Sequence, residues 1–466
     1  MDKKYDISFL DENKINSVLE DSKIKSNNKE EVRRIIEKAL KAEGITALEA
    51  AVLLNIDDKE LLDEMFAAAH SVKEKIYGKR IVMFAPLYVS NYCVNSCKYC
   101  GYKHENDDLC RKKLTKEELI AEVKALEKLG HKRIALEAGE DPINCSLDYV
   151  LECIKNIYSI KFDNGDIRRI NVNIAATTVE NYKRLKDAEI GTYILFQESF
   201  HRPTYEDVHL KGPKSNYEYH TTAMFRAREA GIDDVGIGVL YGLYDYKYET
   251  IAMITYADAL EKVTGVGPHT ISVPRLRPAG NVNLENYPHL VSDDGFKKIV
   301  AVLRLAVPYT GLILSTREEA ELRDEIIALG VSQVSSGSCT GVGGYSETAE
   351  NTAQFEVGDN RSPMEMLESL IKSGYIPSYC TACYRQGRTG DRFMEIAKSG
   401  NINVMCEANA LMTLKEFLLD YADENLRKLG DEAILKTLEA MPNEAFKEKI
   451  KGYLKQIENG VRDLRV

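Results

Sequence analysis

The chain has 466 residues, 44% of them hydrophobic and 29% charged, with a net charge of −11. This length and composition exclude a disordered chain and ask for one large domain with appendages, or for two domains. No apolar run reaches the roughly 18 residues that span a bilayer, and no basic stretch is long enough to neutralise many phosphates, so neither a membrane nor a nucleic acid is expected as a partner. The opening "MDKKYDISFLDENKIN" contains no apolar core of a secretory signal. A cytoplasmic location is the expectation, and there the ten cysteines stay reduced and read first as metal ligands.

Residues 1–79 read as helices, because "NKEEVRRIIEKALKAEG" and "DKELLDEMFAAAHSVKEKIYG" carry apolar residues at helical spacing. From residue 80 the pattern alternates. "RIVMFAPLYVS" is strand-like and runs into a cysteine-rich loop. "TKEELIAEVKALEKLG" is an amphipathic helix opened by a Thr115/Glu118 capping box. Strand-like runs recur at "KRIALEAGE", "RRINVNIAA", "TYILFQES", "DDVGIGVLYG", "HTISVPRLRP", "GLILSTRE" and "VSQVSSGS", with helical stretches between them. Eight such runs predict a (β/α)8 barrel over 80–340; a doubly wound open sheet is the rival, since periodicity does not reveal closure. After about 340, "GVGGYSETAENTAQFEVGDNRS" reads as a long loop, followed by a mainly helical extension over 341–466.

Cys93, Cys97 and Cys100 follow the first strand-like run with CxxxCxxC spacing. In a barrel that is the C-terminal face, where catalytic groups gather. Three thiolates can hold three irons of a 4Fe-4S cluster and leave the fourth open. A closed zinc site would add a fourth ligand, for which His104 is the candidate. A second set, Cys380, Cys383 and Cys406, lies in the extension, with two residues between the first pair and 22 between Cys383 and Cys406. Its CxxC taken alone fits zinc or redox chemistry. Cys153 falls in a helical pattern and reads as core, and Cys110, Cys145 and Cys339 have no partner spacing.

The CxxxCxxC loop, with Tyr99 before its last cysteine, resembles the radical S-adenosylmethionine superfamily. That resemblance implies a 4Fe-4S cluster whose open iron is chelated by S-adenosylmethionine. "EAGEDP" resembles the turn that contacts the methionine amino group, with Glu137, Gly139 and Glu140 as candidates; its plain reading is an exposed turn. "VGIGVLYGL" and "FQESFHRPTY" resemble the fifth- and fourth-strand segments of the superfamily. The second cysteine set extends the likeness, over nearly the whole chain, to the HydG family of tyrosine lyases that mature FeFe-hydrogenase. The tyrosine lyase of thiamine biosynthesis resembles residues 1 to about 340 and lacks the second set.

The family resemblance implies two 4Fe-4S clusters. Cys380, Cys383 and Cys406 would hold the second, which carries an extra iron with a cysteine ligand. His269, whose plain reading is a hydrogen-bonded histidine at a strand start, would ligate that iron. Arg317 and Ser336 would clamp the substrate carboxylate; the plain reading of Arg317 is a salt bridge to Glu318, Glu319 or Glu321. Arg275 and Arg277 either face the second site or stabilise helix ends. The implied reaction cleaves L-tyrosine to p-cresol and dehydroglycine, then forms carbon monoxide and cyanide for an iron–CO–cyanide–cysteine unit. The implied partners are L-tyrosine, L-cysteine and S-adenosylmethionine, an electron donor such as flavodoxin or ferredoxin, and the other hydrogenase maturases. A lyase that stops at dehydroglycine and a non-enzymatic iron–sulfur or zinc scaffold are the alternatives.

Overall fold

A computed structural model of the chain describes residues 5–279, 282–346, 351–398 and 401–466. Eight strands alternate with helices: β1 Arg80–Ser90, β2 Arg133–Ala138, β3 Arg169–Asn173, β4 Thr192–Ile194, β5 Asp234–Gly238, β6 Thr270–Ser272, β7 Gly311–Leu314 and β8 Gln333–Ser335. Every neighbouring pair is parallel, and β8 pairs back onto β1 through Val82, Met83 and Phe84. The sheet is therefore a closed barrel, and the open-sheet rival is excluded. The expected Thr115/Glu118 capping box is present on helix Lys116–Lys128, with the Thr115 hydroxyl accepting from the Glu118 N–H and the Glu118 carboxylate accepting from the Thr115 N–H.

Four helices precede the barrel: Glu12–Lys25, Lys29–Ala39, Ala47–Leu54 and Lys59–Tyr77. Periodicity had marked the second and fourth; Ala47–Leu54 is so apolar, and so deeply buried, that it shows no helical stripe. Together with Lys59–Tyr77 it packs on the barrel helix Asp293–Ala306. A ninth strand of this sheet, β9 Ile376–Ser378, comes after the barrel and pairs in parallel with Arg80–Val82. Its place exists because β1 is 11 residues long and begins to pair with β2 only at Ala85. Helix Asn401–Asp420 then packs over β9.

Arg304 secures the end of the barrel where the strands begin. It is fully buried and donates to the carbonyls of Gly330, Pro308 and Thr310. Its hydrogen-bond acceptors are neutral backbone carbonyls, and the guanidinium also lies 5.1 Å from the centre of the Tyr77 ring. Gly330 adopts φ +148°, and a Cβ there would stand 2.8 Å from that of Arg304.

Replacing Arg304 by Leu leaves three buried carbonyls without that donor, each costing about 1–3 kcal/mol. The variant is expected to melt several degrees below the parent, measured by calorimetry. An unchanged melting temperature would show that the loops at this end do not depend on Arg304.

Candidate active site and a second cysteine centre

At the C-terminal ends of the strands, Cys93, Cys97 and Cys100 line one cavity of about 150 Å3. The loop that carries them is fixed by its own backbone. Arg111 donates to the carbonyls of Asn91, Tyr102 and Lys103, and Asn91 donates to the Cys110 carbonyl. Tyr99, the aromatic before the last cysteine, shares a 2.8 Å hydrogen bond with His209. Burial pushes the Cys97 and Cys100 thiols above their usual range. All ten cysteines are unpaired. His104 is exposed and is not among the residues lining this cavity, so the closed zinc site loses its fourth ligand.

The turn after β2 meets this loop directly. Gly139 donates to the Ser90 carbonyl at 3.0 Å, and a Cβ on it would lie 2.3 Å from the Tyr92 carbonyl oxygen. The Glu140 carboxylate accepts from Asn95 at 2.6 Å. Glu137 lines the cavity too, and burial pushes its carboxyl up to about 8 against the pull of Asn173 and Arg317. Glu198, in a left-handed conformation with φ +67°, pairs with Lys214 at 2.7 Å on the same wall.

A second pocket of about 100 Å3 continues into the barrel and shares Glu137, Asn173, Phe196 and Arg317 with the first. The Arg317 guanidinium stacks 3.4 Å over the Phe355 ring. Among the described residues it has no carboxylate partner, because Glu318 is taken by Arg275 and Arg277. Those two arginines thus lie at this mouth, and neither faces the second cysteine set. Ser336 corrects an expectation. It is buried but does not line the pocket, whereas Ser335 and Ser338 do. β8 ends at Ser335, and the chain then turns at Gly337, φ +54°, before Ser338 reaches the pocket. The Ser338 hydroxyl is buried and has no hydrogen-bond partner among the described residues.

Cys380, Cys383 and Cys406 line a separate pocket at the opposite end of the barrel. β9 carries Cys380 there, a short helix carries Cys383, and helix Asn401–Asp420 carries Cys406. Arg80, Arg133 and Arg169 line the same pocket, each the first residue of its strand. Arg133 donates to the Cys380 carbonyl at 2.8 Å, and Arg169 stacks on Tyr384. His269, immediately before β6, closes the group; burial first, then the arginines, hold its imidazole down at about 4, although Asp234 pulls the other way. No ligand spacing marks the three arginines in the sequence, though "RIVMF", "RIALE" and "RINVN" repeat one Arg-Ile start.

Among the described residues, no three His, Cys, Asp or Glu converge on a point as ligands of one ion do. A cluster takes each cysteine on a different iron, so sulfurs spaced around a cavity suit it. The second centre fits an anionic group as well: Arg80 Nε and Arg133 Nε are buried without hydrogen-bond partners among the described residues, while His269 Nδ1 stands 3.5 Å from Asp234.

Residues 87–255 match the model of the radical SAM superfamily, and 272–376 match the Biotin and Thiamin Synthesis associated domain. The chain is 29% identical to 2-iminoacetate synthase of Salmonella typhimurium over 73% of its own length and 89% of that enzyme. Among solved structures it is similar to HydG from Carboxydothermus hydrogenoformans, at 44% identity and TM-score 0.84 over 96% of this chain and 99% of that one. A further HydG structure, described as a maturase of the FeFe-hydrogenase, shares 60% identity at TM-score 0.96, covering 98% of this chain and all of the other. At that identity, over both chains nearly end to end, this radical S-adenosylmethionine protein belongs to the HydG family of FeFe-hydrogenase maturases.

Proposed function

We propose that the chain cleaves L-tyrosine to p-cresol and dehydroglycine, and converts dehydroglycine to carbon monoxide and cyanide. The product would be an iron–CO–cyanide–cysteine unit for hydrogenase assembly. The observation that carries this reading is two separate three-cysteine centres at opposite ends of one barrel. By strand rise and tilt they lie about 20 Å apart. Similarity to 2-iminoacetate synthase supports the first half of the reaction alone; the centre built by β9 and helix Asn401–Asp420 favours the full sequence.

At the first centre Cys93, Cys97 and Cys100 would hold a 4Fe-4S cluster, with Glu137, Gly139 and Glu140 on the side of S-adenosylmethionine. When bound and reduced by one electron from a donor protein, that pair would supply a 5′-deoxyadenosyl radical. The chain's own part is to bind and orient. Arg317 takes the tyrosine carboxylate, a task suited to a guanidinium with no ion-pair partner among the described residues. Ser338 replaces Ser336 as the hydroxyl of this clamp. Phe196 and Phe355 keep water out. Below the clamp, Ala135, Ser272 and Ser335 face the pocket and keep the barrel interior open to a small molecule.

At the far end Cys380, Cys383 and Cys406 would hold a second 4Fe-4S cluster. Its charge, and that of the small anions handled there, is matched by Arg80, Arg133 and Arg169. His269 stays neutral at pH 7 and keeps a ring nitrogen free for iron, to which imidazole is suited. L-cysteine enters as the remaining ligand of the iron product, which the other maturases would receive.

Arg317→Ala is expected to keep the iron content of the parent and to raise KM for tyrosine at least about 30-fold, the low end of the 2–5 kcal/mol lost with one partner of a buried charge pair. An unchanged KM removes the clamp. In the same assay Ser338→Ala raises KM several-fold, as loss of a roughly 1 kcal/mol hydrogen bond does, while Ser336→Ala does not; the reverse order would restore Ser336.

Cys383→Ala separates the two centres. It is expected to release p-cresol at the parent rate while carbon monoxide falls to near zero. His269→Ala keeps the second cluster but loses the iron–CO product, seen by infrared spectroscopy. Parent-level carbon monoxide from Cys383→Ala would leave only the shorter reaction.

A further inference from the structure

Gln354 belongs to the segment after the barrel, yet it lines both pockets of the mouth. Its backbone is seated twice. The N–H donates to the Thr340 carbonyl at 3.0 Å. Its carbonyl oxygen lies against Gly101, where a Cβ would approach to 2.6 Å. The glycine after Cys100 is thus what lets this segment rest on the cysteine loop.

The side chain is held as well. The Tyr88 hydroxyl donates to Gln354 Oε1 at 3.0 Å. With the oxygen engaged, the amide nitrogen turns to Cys100, and Nε2 donates to Sγ at 3.8 Å. The other donors to these sulfurs come from the cysteine loop itself: Asn95 Nδ2 to Cys93 at 3.7 Å and the Tyr102 N–H to Cys100 at 3.4 Å. Among the described residues Gln354 is the one donor that reaches the sulfur of Cys93, Cys97 or Cys100 from outside the cysteine loop. Phe355, its neighbour, underlies the Arg317 guanidinium, so two consecutive residues touch a cluster ligand and the carboxylate clamp.

A donor aimed at a cluster sulfur stabilises the reduced form, which carries one more negative charge, and so raises the reduction potential. We propose that Gln354 is a positioning residue of the first centre: held by Tyr88, its amide donates to the Cys100 sulfur and sets the reduction potential of the cluster. This rests on the reading of Cys93, Cys97 and Cys100 as cluster ligands.

The test uses full-length protein carrying Cys383→Ala, so that the first cluster alone is titrated. Anaerobically reconstituted parent and Gln354→Met, similar in length but without donor or acceptor, are compared by EPR-monitored redox titration. With iron and sulfide content equal, the midpoint of Gln354→Met is expected to shift to more negative potential. Tyr88→Phe, which frees the amide to turn away, shifts it the same way by less. A purely structural role would lower stability or cluster loading and leave the midpoint in place. If Gln354→Met does not load, Tyr88→Phe decides. Midpoints equal to the parent's overturn the inference while the cluster assignment stands. Failure of the parent to give a reduced-cluster signal overturns the assignment itself, and the inference with it.

Discussion

Pairing of Val82–Phe84 with Gln333–Ser335 closes the sheet, and closure of parallel strands is what gives this molecule two chemically distinct ends. Every strand starts at one end and finishes at the other. Residues that begin strands, such as Arg80, Arg133 and Arg169, are gathered into one ring. Residues that follow strands, such as Cys93 and Arg317, are gathered into another. An open sheet with the same strands would have left β1 and β8 at opposite edges, and Cys93 and Arg317, which follow β1 and β7, would have been apart.

The length of β1 adds a second consequence. Its first three residues extend beyond β2, and β9 takes that free edge. Cys380 follows β9 directly, so backbone pairing sets one sulfur beside Arg80. The arginines then carry an electrostatic requirement. Burial pushes Arg169 well below its usual range and Arg133 to about 10. Buried guanidiniums of this kind are tolerated only with anions or well-placed acceptors. Asp234 and the Cys380 carbonyl meet part of that demand.

At the mouth, close approach matters more than charge. Gly139 and Gly101 admit backbone within distances that a Cβ would prevent. Each brings a segment from another part of the chain onto the cysteine loop: the turn after β2 in one case and residues 353–354 in the other. The buried Arg323–Asp359 pair, joined by Arg361, ties the far side of that second segment to the barrel. The wall of the pocket beneath this loop is therefore made partly by chain that lies outside the eight strands.

The sequence by itself determined the eight strand-like runs, their order, the Thr115/Glu118 cap and both cysteine sets, because each is written in local spacing. Periodicity, capping chemistry and ligand intervals act over a few residues, and one stretch displays them. Only the tertiary structure decided closure, the opposite placement of the two cysteine sets, and that Ser335 and Ser338 line the pocket while Ser336 does not. It also decided that Glu318 goes to Arg275 and Arg277, which leaves Arg317 free, and that His104 stays outside the first centre. Gln354 carried no motif, and its meaning comes wholly from Tyr88 and Cys100, more than 250 residues earlier in the chain. Contacts across such separations depend on how strands pair and curve, and no local pattern in the chain records that.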